Sequence, residues 1–342
     1  MKENLTTVTK QKVTAKEVAE LAGVSKWTVS RAFTKGASIS ETSLKRVLEA
    51  ADTLGYKPNL LARSLTKKKT NMIGVLVAEL DTPNVLAVFD ELSSQLQMKG
   101  LISLVLNVNT ATDYNNALSL VDQFQVDGII FLGTELPQEI IEKNVQHIPL
   151  ISLYRNSDIP SVQAVSTDGY SAGRDVGSLF VSLGYKRIAY MAGPSKKSTG
   201  LMRCDGMVSM LHEHGLKLED RYEMKHFSRK VAYEFMNNYL ASTKPEDRVE
   251  AIFCESDILA IGVIDALRYN NVDRSIAVVG FDDIDLAGSP SYNLTTCRQQ
   301  LKPLVRESIK RLKPNQNQPK TLLMPSEFIL RHSHLRIPLN KK

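Results

Sequence analysis

Tryptophan occurs once in these 342 residues and cysteine three times, at Cys204, Cys254 and Cys297. An odd set of cysteines without CxxC spacing argues against a disulfide framework or a thiolate metal site, and suits reduced thiols in a cytoplasmic protein. No run of 18 apolar residues occurs, and the opening MKENLTTVTKQK lacks an apolar signal core, so neither membrane spanning nor export is expected. Catalytic signatures are equally scarce. GxxxxGK[ST] and HExxH are both missing. His212 and His214 stand two apart and would diverge on a helix, which disfavours a shared metal. Asp282 and Asp283 are neighbours on an extended run and would point opposite ways, unlike the carboxylates that flank a glycosidic bond. The expectation is a protein without enzymatic activity, cofactor or metal.

What is present is concentrated at the front. TAKEVAELAGVSKWTVSRAF (14–33) encodes two short helices and a sharp turn. Thr14 and Glu17 have capping-box spacing. Ala19 is small where two helices must cross, Gly23 can take positive φ at the turn, and Val29 points back into a small core. This spacing marks a DNA-binding helix-turn-helix whose second helix, Ser25–Phe33, enters the major groove. The charge agrees: residues 1–70 hold 14 Lys+Arg against 6 Asp+Glu, and the other 272 hold 29 against 31. A basic excess confined to the motif-bearing segment is the footprint of phosphate binding. Ser40 can cap a third helix whose Leu44, Val47, Leu48, Ala51 and Leu54 share a face, with Gly55 ending it. A short helix from Asn59 would then lead into the basic linker at Lys67, Lys68 and Lys69; alone it is marginal in water.

From Met72 the pattern alternates. Apolar runs at MIGVLVAEL, LISLVLNV, DGIIFLG, PLISLY, RIAYMAG, AIFCES and IAVVGFDDI are separated by amphipathic stretches, as in parallel sheets covered by helices. About 260 residues are generous for one sheet and suggest two α/β lobes, with LTTCRQ and TLLMPSEFIL carrying the chain back across their junction. Gly169, Gly173 and Gly177 recur every fourth residue, which suits close helix packing better than a dinucleotide loop.

With VAELAGVSKWTVSR, LGYKPNLLARSL, IGVLVAEL, DGIIFLG, STDGYSAG, LGYKRIAYMAGP, MRCDG, VVGFDDI, LTTCRQ and ILRHS in this order, the chain resembles the lactose/galactose repressor family of bacterial transcription regulators. The resemblance implies an all-α helix-turn-helix headpiece (1–58), a hinge helix and linker (59–70) and a two-lobed periplasmic-binding-protein-like α/β core (71–342). Its first lobe would take about 71–166 and 299–325, its second about 167–298 and 326–342. Implied partners are double-stranded palindromic operator DNA, a small-molecule effector (a sugar or related metabolite) and a second copy of the chain. LRIPLNKK adds no leucine heptad, so a dimer is expected instead of a tetramer.

The resemblance places Lys26, Trp27 and Arg31 among base readers, with Thr28 and Ser30 on the same helix. Thr14, Ser25, Ser40 and Asn59 fit phosphate contacts, which position without specifying. Leu65 matches a hinge leucine that wedges into the minor groove, beside Ala62. In the core, ligands of α/β lobes bind at the carboxyl ends of strands; Asp81, Tyr154, Arg155, Ser256, Asp257 and Asp282 fall at such ends. Arg203 and Asp282 match the family's effector-gripping pair, and Phe227 a ring that lies along a ligand. Two departures, Asp81-Thr82-Pro83-Asn84-Val85 without the usual aromatic pair and Ser256 where Asn is usual, argue against a standard hexose. The competing readings are a ligand-independent architectural DNA binder, which would need no polar cleft, and a carbohydrate-processing enzyme.

Overall fold

A computed structural model describes residues 13–34, 36–58, 69–80, 82–133, 147–154, 161–194, 202–313 and 318–337. The expected hinge helix, with Asn59, Ala62 and Leu65, lies outside the described residues, as do Asp81 and Arg155. The chain divides into two compact units, 1–70 and 71–342.

The first unit contains α1 (Ala15–Ala22), α2 (Lys26–Ala32) and α3 (Glu41–Leu54). Glu17 accepts from both the N–H (2.7 Å) and the hydroxyl (2.8 Å) of Thr14 at the start of α1. Gly23 ends that helix at φ +62°, in the left-handed region where a side chain is disfavoured. Val18, Ala19, Ala22, Val29, Val47, Ala50 and Ala51 form the small core, closed by Phe33 against Tyr56. One expectation needs correcting. Leu48 is exposed and Ala50 is buried in its place, because the three helices converge on the Val47–Ala50–Ala51–Leu54 stripe and Leu48 lies past its edge.

The second unit is built on two six-stranded sheets. The first sheet contains β1 (Met72–Val77), β2 (Ile102–Asn107), β3 (Gly128–Leu132), β4 (Leu150–Leu153), β5 (Val162–Thr167) and β11 (Thr321–Met324). Its order is β11-β5-β4-β3-β1-β2, all parallel. It is covered by α4 (Pro83–Met98), α5 (Ala111–Gln123) and α10 (Leu301–Arg311), whose apolar faces join the strands' two clusters.

The second sheet contains β6 (Ile188–Ala192), β7 (Asp220–Glu223), β8 (Ala251–Cys254), β9 (Ala277–Asp282), β10 (Thr295–Arg298) and β12 (Glu327–Ile329). Its order is β12-β10-β9-β8-β6-β7, with β12 antiparallel. Around it lie α6 (Gly169–Ser182), α7 (Arg203–Glu213), α8 (Arg229–Ser242) and α9 (Asp257–Tyr269). The chain thus passes between lobes after β5, after β10 and between β11 and β12. TLLMPSEFIL is therefore two strands in different sheets, parted at Pro325.

Two strands are absent from the reading of hydrophobic runs. β5 is buried along nearly its whole length although Gln163, Ser166 and Thr167 interrupt its apolar pattern. β7 is a charged, largely exposed edge strand, DRYE, with no apolar signal. The spaced glycines do mark a close helix pair. A Cβ on Gly173 would fall on the Arg203 carbonyl oxygen, and one on Gly206 would fall on that of Tyr170, so α6 and α7 meet backbone to backbone. All three cysteines are free and buried.

Candidate functional site

Two surfaces carry chemistry, one on each unit. On the first, α2 begins at Ser25, whose hydroxyl accepts from the Thr28 N–H (3.1 Å). Helical spacing turns Val29 inward and Lys26, Trp27 and Ser30 outward. Trp27 is the largest exposed ring of this unit, with 67% of its surface accessible. The Arg31 guanidinium lies 4.2 Å from the centre of that ring, an i,i+4 cation–π stack that fixes both planes. Thr28 is half-buried against Ser25, its hydroxyl 3.0 Å from the Ser25 oxygen. Ser40 caps α3 through Ser43. Thr14 gives both its donors to Glu17, so a phosphate at that position would have to displace a carboxylate.

On the second unit a cleft of about 580 Å³ opens between the lobes at the carboxyl ends of the strands. The first lobe supplies Glu79 after β1, Gly133 after β3, Tyr154 after β4, and Thr82 and Asn84 at the start of α4; the second supplies Arg203, Phe227, Ser256, Ile258 and Asp282. Gln299, at the second crossing, closes the floor. Several of these residues are held in unusual backbone. Glu79 (φ +59°), Tyr154 (φ +83°) and Asp282 (φ +121°) all have positive φ, as does Met202 (φ +58°) beside Arg203. Such conformations persist only where the surroundings impose them, and they concentrate at binding sites. For Tyr154 the cause is visible: its N–H donates to the Val165 carbonyl and its own carbonyl accepts from the Ser166 hydroxyl (2.9 Å).

Arg203 opens α7 and is buried. It donates through Nη1 to the Glu255 carbonyl, and its guanidinium lies 3.4 Å from the centre of the Phe281 ring. Its Nε and the Ser256 hydroxyl are buried without a hydrogen-bond partner among the described residues. Leaving such groups unpaired costs about 1–3 kcal/mol each, and both residues line the cleft. Phe227 reaches the cleft because residue 193 is glycine; a Cβ at that position would overlap its ring.

Asp282 faces the cleft and receives the Gln299 amide N–H at 2.7 Å. Burial pushes its carboxyl up to about 8, against the opposing pull of Arg203. Asp283 turns the other way into ion pairs with Arg298 and Arg331, each 2.7 Å. Asp257, expected in the ligand shell, is not among the cleft-lining residues. Its oxygens accept from the Thr296 hydroxyl (2.6 Å) and the Ile284 N–H (3.0 Å), so this carboxyl braces the wall behind the cleft. Tyr154, Arg203, Phe227, Ser256 and Asp282 are brought together as expected. Glu79, Thr82, Asn84, Ile258 and Gln299 are additions; Glu79 is the last residue but one of IGVLVAEL and Gln299 the last of LTTCRQ, so both were legible as strand ends.

Asp282 also makes a pH signature. The folded state holds its proton up to about pH 8, the unfolded chain only to about 3.9. Folded molecules therefore bind more protons across this window, and stability falls as pH rises through it. Asp282→Asn, which imitates the protonated carboxyl, should melt above wild type by about 5 °C or more at pH 8.5 and much less at pH 5. An equal offset at both pH values would contradict this assignment.

Comparison with known proteins places this geometry. The family pattern described as "Periplasmic binding proteins and sugar binding domain of LacI family" matches residues 70–304, and that of "Bacterial regulatory proteins, lacI family" matches 14–59. The chain belongs to the LacI family. It is a DNA-binding transcriptional regulator with a helix-turn-helix head and a two-lobed effector-binding core. It is 28% identical to the HTH-type transcriptional repressor PurR of Photobacterium profundum, over 94% of this chain and 98% of that protein. It is also 28% identical to the probable HTH-type transcriptional repressor ExuR of Bacillus subtilis, over 95% and 99%. Its fold is similar to the crystal structure of the lac repressor dimer bound to operator and the anti-inducer ONPF, with a TM-score of 0.85, 24% identity and coverage of 95% and 100%. No described helix of this LacI-family chain is long and apolar enough to cross a membrane.

Proposed function

We propose that this chain is a homodimeric repressor that binds a palindromic operator through α2 and answers to a small polar metabolite held between the core lobes. The observation that carries the reading is the cleft. Arg203 and Ser256, whose Nε and hydroxyl are buried and unpartnered among the described residues, line the same cleft as Asp282, Tyr154 and Phe227. An architectural DNA binder has no use for such a site. Nor does Asp282 form a catalytic pair with its neighbour, because Asp283 is committed to two arginines. Arg203 would pair with an acceptor on the ligand, Asp282 with a hydroxyl or N–H, and Phe227 would lie along its apolar face. With Thr82, Pro83 and Asn84 where an aromatic pair is usual, this part of the first-lobe wall offers no pair of rings to sandwich a ligand.

On the head, Lys26 and Arg31 would donate to guanine O6 and N7, and Trp27 would offer its face to a thymine methyl. Ser25, Thr28, Ser30 and Ser40 would contact the backbone, as would Asn59, and from the hinge Leu65, beside Ala62, would wedge into the minor groove. The dimer is supported by an apolar edge. Met98 (76% exposed) and Leu86 on α4 lie exposed, as do Ile102 and Val105 on the unpaired margin of β2. Such an edge invites aggregation unless a second copy covers it.

The test begins with a duplex selected from a random library by the purified full chain. Because Trp27 is the only tryptophan, titrating this duplex should change the protein's emission and saturate at one duplex per dimer. Affinity should fall steeply with salt. Small molecules released from the purified protein and identified by mass spectrometry should then shift the titration midpoint. An emission spectrum unchanged at saturation, or random duplex bound as tightly as the selected one, would overturn the reading.

A further inference from the structure

The second crossing between the lobes carries a side chain that touches both the cleft and the first crossing. Gln299 is buried, with 3% of its surface exposed, and immediately follows β10. Its Nε2 donates to Asp282 Oδ1 at 2.7 Å, and its Oε1 accepts from the Thr167 hydroxyl at 2.7 Å. Thr167 is the last residue of β5, where the chain first leaves the first lobe. The next residue, Asp168, donates its N–H to the Met324 carbonyl at 2.7 Å, which ties the first crossing to the third. One amide thus joins the cleft aspartate to a stack of all three crossings.

We propose that Gln299 transmits occupancy of the cleft to the lobe junction, acting as a positioning residue between Asp282 and Thr167. The proposal rests on reading the cleft as the effector site. A ligand hydroxyl or N–H that donates to Asp282 competes with the Gln299 amide for the same carboxyl. Asp282 is held at φ +121° with its carboxyl at the cleft wall, so drawing it toward the ligand lengthens the bond to Gln299. Oε1 and Nε2 belong to one rigid planar group. A shift of the amide at the Asp282 end therefore displaces the acceptor that Thr167 uses, and the first crossing loses its side-chain tie to the second. By linkage the reverse also holds: releasing Thr167 changes how Asp282 is presented.

Hydrogen exchange of the full-length chain tests this without a ligand. Asp282→Ala removes the acceptor and should speed exchange of the 167–169 backbone amides by about 10-fold, within the 5–150-fold span of ordinary couplings. In a Gln299→Leu background the same amides should already exchange faster, and Asp282→Ala should add less than about 2-fold, because residues of one hydrogen-bond network do not add as independent sites would. The reciprocal arm reads amides 282–284: Thr167→Val should loosen them, Thr167→Ser should restore wild-type protection, and Gln299→Leu should abolish the difference. That arm decides the matter alone if Asp282→Ala fails to fold. The proposal is overturned if 167–169 do not respond to Asp282→Ala, or respond equally with and without Gln299. It is also overturned if Thr167→Val leaves 282–284 unchanged. Operator binding by the wild type, measured alongside, separates the two claims: its absence sinks the regulator reading, whereas exchange indifferent to Gln299 sinks only the coupling.

Discussion

Gly173→Ala should cost the core about 3 kcal/mol or more, at the upper end of what overpacking one methyl group usually costs. Intrinsic preference runs the other way, since alanine in a helix is favoured over glycine by about 1 kcal/mol. The sign of the result therefore separates helix propensity from packing. The added methyl would land on the Arg203 carbonyl oxygen, and within 2.9 Å of both that carbonyl carbon and the Met207 nitrogen. These are backbone atoms of α7 and cannot rotate aside. Gly177→Ala is the graded control. Its methyl would meet Met210 Cβ at 3.0 Å and the Met207 carbonyl oxygen at 3.2 Å, contacts that need a shift of only a few tenths of an ångström, so its cost should be smaller. Urea denaturation of the two variants checks the order. A Gly173→Ala protein as stable as wild type would mean that the helices separate freely, and the close approach of α6 to Arg203 would lose its meaning. Because the obstructed carbonyl belongs to Arg203 itself, a folded Gly173→Ala variant should also bind the effector more weakly.

Trp27→Ala and Arg31→Ala should each weaken the selected operator by about 10–100-fold, the cost of about 1–3 kcal/mol expected for a lost base contact. Binding to random duplex should change far less, since phosphate contacts supply it. The two losses should not add. Arg31 lies over the Trp27 ring at 4.2 Å, so removing either side chain frees the other to wander, and the double variant should lose less than the product of the single effects. Trp27→Phe keeps a ring for Arg31 and discards the indole N–H, and should fall between wild type and Trp27→Ala. Gel-shift titrations on selected and scrambled duplexes give all four numbers. Equal losses on both duplexes would mean that α2 only anchors the head and reads no sequence.

The sequence disclosed this fold most clearly where one residue type serves one purpose. Thr14 with Glu17, Gly23 and Gly55 each sit at a turn or cap that accepts few alternatives, and Val29 at the buried position of α2, so the three-helix head could be traced almost residue by residue. The apolar runs announced most of the strands because a parallel sheet buries both of its faces. β7 escaped because this edge strand turns only Tyr222 toward the core, and β5 because its polar residues are used inside: Ser166 grips Tyr154 and Thr167 grips Gln299. The cleft was legible to the extent that strand ends are. Which side chain at a strand end turns inward is decided by the two or three residues around it. Asp257 looked like a ligand-facing carboxyl and is spent on Thr296 and Ile284. Gln299 had no motif at all; its role depends on Thr167, 132 positions away in the chain.

The buried thiols have a practical consequence. Burial pushes the Cys204 thiol up to about 11, and Cys254 and Cys297 also well above the ordinary range. The reactive thiolate is thereby suppressed at neutral pH, and peroxide or maleimide reagents find little to attack. One cysteine engineered onto each lobe can therefore carry a donor or an acceptor fluorophore without first stripping the native ones, and any change in lobe separation becomes a distance that energy transfer can follow in real time.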